Sequence, residues 1–67
     1  MGERRRQRID PAPGMVIRED DPRVNTVKRI MEVAPDYVVC RAGHDGSGRH
    51  SRVSVRRLRE GRYIRVR

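Results

Sequence analysis

Val24-Asn25-Thr26-Val27-Lys28-Arg29-Ile30-Met31-Glu32-Val33 is the stretch whose conformation decides the fold. As a helix it places Val27, Ile30, Met31 and Ala34 at i, i+3, i+4 and i+7, a single apolar stripe. Asp21 would cap that helix, with Pro22 at its first position and Pro35 as its stop. As a strand it uses Val24, Thr26, Val27, Ile30 and Val33, whose branched side chains are stiff and suit a pleated surface. Asn25 is also a poor helix former. Intrinsic preference tips slightly toward strand, and helix stays open as the alternative.

The flanking segments are clearer. Gly14-Met15-Val16-Ile17-Arg18 reads as a strand opened by a Pro-Gly turn, and the loop Glu19-Asp20-Asp21-Pro22 ends it. After the Pro35-Asp36 turn, Tyr37-Val38-Val39-Cys40-Arg41 is a strand. His44-Asp45-Gly46-Ser47-Gly48 is a hairpin loop with Asp-Gly at the left-handed turn. Arg49 to Val55 returns with Val53 and Val55 inward and Arg52 and Ser54 outward. Arg56 to Gly61 has room for one helical turn closed by Gly61. Arg62 to Arg67 is the last strand; with Ile64 and Val66 inward, Tyr63, Arg65 and Arg67 point out. Residues 1–12, with four arginines between positions 4 and 8, cannot bury enough to order themselves and read as a flexible basic arm.

Composition supports a mainly β domain. The chain lacks Phe and Trp and has nine Val, four Ile and one Leu, so thirteen of these fourteen aliphatics are β-branched. Five short strands with a helical turn before the last predict a small closed barrel over residues 13–67, because closure removes exposed edges. With 67 residues, the chain has no room for both a core and a pocket of several hundred Å³. That weighs against an enzyme. The single cysteine, Cys40, forms no intramolecular disulfide, and no apolar run reaches membrane-spanning length. A cytoplasmic protein without membrane attachment is expected.

Several residues carry a resemblance. Pro13-Gly14-x-Val16, Asp20-Asp21-Pro22-Arg23, Arg49-x-Ser51-Arg52-Val53-Ser54-Val55-x-Arg57-Leu58 and Gly61-x-Tyr63 resemble a family of short actinobacterial and actinophage proteins. The likeness covers residues 13–66. It implies an SH3-like or KOW-like barrel with residues 24–33 as a strand, and a phage or actinobacterial setting. The chain departs from the pattern at Ile17, where a tryptophan is usual, and at Arg62, which separates a Gly and a Tyr that are usually adjacent.

Charge points to the partner. The net charge is +8, and sixteen of the seventeen basic residues are Arg. Residues 49–67 hold eight Arg and one Glu, so they carry 8 − 1 = +7. Arg49, Arg52, Arg56, Arg57, Arg59, Arg62 and Arg65 come from elements adjacent along the chain and are expected to share one basic face. A guanidinium fork binds two phosphate oxygens at once. Arg4, Arg5, Arg6 and Arg8 would add contacts from the arm, and Tyr63 could offer a stacking ring. The expected function is backbone-dominated, weakly sequence-specific nucleic-acid binding. The alternatives are a protein-interaction module docking on an acidic host protein, and a plain solvated surface. Cys40, His44 and His50 lack a metal-site spacing and a fourth ligand, so neither metal nor cofactor is expected.

Overall fold

The deciding stretch is a strand. In the computed structural model, which describes residues 8–67, β1 (Val16–Glu19), β2 (Val27–Val33), β3 (Tyr37–Ala42), β4 (His50–Ser54) and β5 (Tyr63–Arg65) form one antiparallel sheet in the order β4-β3-β2-β1-β5. A short helix, α1 (Val55–Arg59), links β4 to β5. β2 pairs with β1 on one side and β3 on the other. A helix there would leave both neighbours with unpaired backbone, and that long-range pairing outweighs the apolar stripe. Asp21 caps no helix. Its carboxylate accepts from the backbone N–H of Arg23 at 2.9 Å and shapes the loop before Val24.

β2 carries one irregularity. Ile30 stands opposite Cys40 and Glu32 opposite Val39, so Met31 is an extra, bulged residue. A bulge bends its strand and re-aims its side chains. Ile30 remains fully buried while Met31 turns outward, 40% exposed.

The core follows the period-two pattern. Ile17, Ile30, Val38, Cys40 and Val53 line the inner face, and Ile9, Met15, Val55, Leu58 and Tyr63 complete the cluster. α1 packs against β3 and β4. Ser54 Oγ accepts from the Arg56 N–H at 3.2 Å to cap its start. At its end the Gly61 N–H donates to the Leu58 carbonyl and the Arg62 N–H to the Arg57 carbonyl. This reversal needs the left-handed backbone of Gly61, at φ +81°. The single closing turn expected from sequence is therefore present, though Val55 belongs to it and not to β4. Among the described residues no helix is long and apolar enough to cross a membrane.

Three expectations are corrected. First, the sheet is open: β4 and β5 are its edges, and no ladder joins them among the described residues. The chain crosses between these edges through α1, which lends Val55 and Leu58 to the core. Second, the last strand has the opposite facing. Glu19 pairs with Tyr63 and Ile17 with Arg65, so Tyr63 falls on the inner side and is buried, while Val66 is 39% exposed. A one-residue change of register flips every side chain of a strand. Third, the packed domain begins before residue 13. Ile9 is 4% exposed within the core, and its N–H donates to the Leu58 carbonyl at 3.1 Å.

Ser51 faces inward opposite Cys40, and its buried hydroxyl has no hydrogen-bond partner. A buried hydroxyl without a partner keeps its desolvation cost. Ser51→Ala is expected to stabilise the fold by up to about 1 kcal/mol, read as a raised thermal midpoint. A clear fall in the midpoint would contradict this reading.

Candidate nucleic-acid interface

The fold does not gather the sequence-predicted arginines onto one face. It distributes most of them over three clefts, each shared with carboxylates. Arg57 and Arg62 line a cleft of about 160 Å³ with Glu19, Asp20 and Asp21. Arg56 and Arg59 line another with Asp36 and Glu60. Arg8 and Arg65 line a third with Asp10. Glu60 takes both Arg56 and Arg62 at 3.7 Å, and Arg8 stands 3.6 Å from Asp10. For the first cleft the cause is the β1–β5 ladder. It carries the acidic loop, remote in sequence, beside residues 57–62, where the Asp20 N–H donates to the Arg62 carbonyl at 2.9 Å. Exposed pairs of this kind contribute little stability, but they cancel much of the local field. Arg4, Arg5 and Arg6 lie outside the described residues.

Asp21 is satisfied within its own loop. The Arg23 guanidinium, 3.0 Å away, and then the Arg23 backbone N–H hold its carboxyl below the ordinary value. Both side chains are solvated, so the pair shapes the loop more than it stabilises the protein.

A different basic face exists on the outer side of the sheet. Arg29 on β2 stands opposite Arg41 on β3, and Arg41 opposite His50 on β4. Arg18 on β1 faces the same way, paired with Val27. Arg52 pairs with Val39, one rung along β4 from His50; Arg49 precedes that strand and, next to His50, alternates away from this face. In each strand the basic residue is next to a buried one: Arg18 beside Ile17, Arg29 beside Ile30, Arg41 beside Cys40, Arg52 beside Val53. Alternation sends one inward and the other outward. No ion pair among the described residues engages Arg18, Arg41, Arg49 or Arg52.

Two of these cations also build the hairpin. Arg29 Nη1 donates to the His44 carbonyl at 3.2 Å and Arg41 Nε to the Gly48 carbonyl at 3.0 Å. The loop lies close on β2: a Cβ at Gly46, whose φ is +73°, would meet Met31 Sδ at 3.0 Å. In the same loop, the Ser47 hydroxyl first, then its backbone N–H, keeps the Asp45 carboxyl below its ordinary value, and Arg29 adds to the effect. Each guanidinium has five N–H donors, so one spent on the loop leaves others for a ligand.

The stacking ring expected at Tyr63 is not available. Tyr63 is 6% exposed and offers no free stacking face. Burial, and secondarily the Glu19 charge, push its hydroxyl up. Tyr37 is half-buried on the outer face, with the Arg52 guanidinium carbon 4.7 Å from its ring centroid. Cys40 is fully buried, and burial pushes its thiol up, away from the reactive thiolate. No cluster of three metal-ligating side chains occurs among the described residues.

Nothing in the sequence marked Arg18, Arg29 and Arg41 as a group, since they lie in three separate strands. The available signal was a basic residue beside a buried aliphatic or Cys40 in each strand, which acquires meaning only once the register is known. No protein-family model, curated protein or solved structure matches this chain.

Proposed function

We propose that this chain is a small SH3-like module that binds nucleic acid through its backbone phosphates, with little sequence preference, and that it is a binder and not a catalyst. One observation carries the reading: Arg18, Arg29, Arg41 and Arg52, with His50, lie on one side of the sheet, and none is in an ion pair among the described residues. A rigid sheet holds these groups at fixed spacings, so little order is lost when they meet a polyanion. The meander with β1 between β2 and β5, and the helical turn before β5, support the SH3-like assignment. From the motif likeness we infer that the module works in the cytoplasm of an actinobacterial or phage-infected cell.

The test is a mobility shift at two salt concentrations. Each neutralised phosphate steepens the log–log salt dependence by about 0.7 on single strands and about 0.9 on duplex DNA. With about five contacts, affinity is expected to fall about a hundredfold or more between 50 and 200 mM salt. Absence of binding at the lower salt, or binding indifferent to salt, overturns the reading.

A second reading has its own observation. Met31, the bulged residue of β2, is 40% exposed beside Arg29 on the outer face, an apolar spot suited to a protein partner with an acidic rim. A partner captured from lysate that survives nuclease treatment favours this reading over the first.

A further inference from the structure

Among the outer-face cations, Arg52 alone is held against a ring. Its direct partner across the ladder is Val39, while Tyr37 faces Ser54. The guanidinium therefore leans diagonally along the sheet and sits over the Tyr37 ring, 4.7 Å from its centroid. Diagonal neighbours on one face are within reach of long side chains. A guanidinium is planar and weakly hydrated on its flat sides, and it stacks well. One side of this one rests on Tyr37. Arg52 is exposed and takes part in no ion pair among the described residues, so its other side meets solvent. Val39 is half-buried beside it, and the Arg41–His50 rung follows next along the same two strands.

We propose that Arg52, seated on Tyr37, is a stacking site for one unpaired nucleobase, and that the ligand of this face is single-stranded nucleic acid. The inference rests on the phosphate-binding reading above and adds the strandedness of the ligand. A base in a duplex already has both faces stacked. An unpaired base has free faces and stacks on aromatic rings or arginine planes. Arg41, His50 and Arg29 lie along the sheet from the seat and would hold the neighbouring phosphates. One base is taken up by its face and not by its edge, so the seat tolerates any base.

The chain has two tyrosines and no tryptophan, which makes tyrosine emission a direct reporter. Tyr63→Phe in the full chain keeps the buried ring and leaves Tyr37 as the sole emitter. The probes are a twelve-residue oligothymidylate, an abasic strand of equal length and charge, and a duplex of that length. Oligothymidylate is expected to quench Tyr37 and to bind about tenfold tighter than the abasic strand, with the duplex close to the abasic value. Arg52→Lys keeps the charge and loses the plane. It should lower oligothymidylate affinity to the level of the abasic strand, and Tyr37→Leu should do the same. Equal, salt-dependent affinity for both single strands removes the stacking seat and leaves the phosphate reading standing. Binding of none of the probes at about 50 mM salt removes that reading, and the seat falls with it.

Discussion

Leu58→Ala is expected to remove most of this protein's folding stability. Leu58 is the chain's single leucine and is fully buried. It is the residue through which α1 plugs the core between the two open edges of the sheet. Its carbonyl also accepts from Ile9 and Gly61, so it anchors both the N-terminal segment and the helix end. Truncating a buried leucine costs about 2–5 kcal/mol, through lost burial and the cavity left behind. Small domains have about 5 kcal/mol or somewhat more in total. Val66→Ala is the control: Val66 is 39% exposed, and its loss should cost under about 1 kcal/mol. Thermal unfolding followed by circular dichroism decides between them. For a domain of this size each kcal/mol moves the midpoint by about 4–8 °C. A Leu58→Ala midpoint within a few degrees of the parent's would contradict the role given to α1.

The second large effect concerns binding and separates a face from a mere excess of charge. Arg18, Arg29 and Arg52, all changed to Glu, take the net charge from +8 to 8 − 6 = +2. Arg57, Arg59 and Arg62, all changed to Glu, do the same arithmetic on the side of the molecule that already holds Glu19, Asp20, Asp21 and Glu60. If the outer face makes the contacts, the first set should lose about a hundredfold or more in affinity at 50 mM salt, and its salt slope should fall by about 2–3. The second set should lose under about tenfold, through the long-range field alone. All six positions are exposed or half-buried surface sites, so both triple variants should fold. Equal losses in the two sets would mean that bulk charge, and not this face, drives association.

Much of the strand layout was readable from composition and alternation. Tyr37–Ala42 and His50–Ser54 emerge from their own patterns because every second residue must face the core. The Gly61 closure was equally readable, since only a left-handed residue ends a helix so abruptly. Residues 24–33 were not decided locally. Their apolar positions satisfy both periods, and pairing with β1 and β3 settled the matter. Tyr63 and Val66 exchanged faces because register is a relation between strands. Ile9 was read as part of an arm because no local signal marks a single isoleucine that docks on a distant helix.

By itself the sequence determined a β-rich chain of high positive charge, with its turns and its one helical cap, because these depend on neighbouring residues. Where the charge acts was decided by the tertiary structure alone. The β1–β5 ladder brought the acidic loop to the C-terminal arginines, and the β1–β4 registers aligned arginines from separate strands on the other side. Both results come from contacts between residues far apart in the chain, and charges combine by distance in space and not by order in sequence.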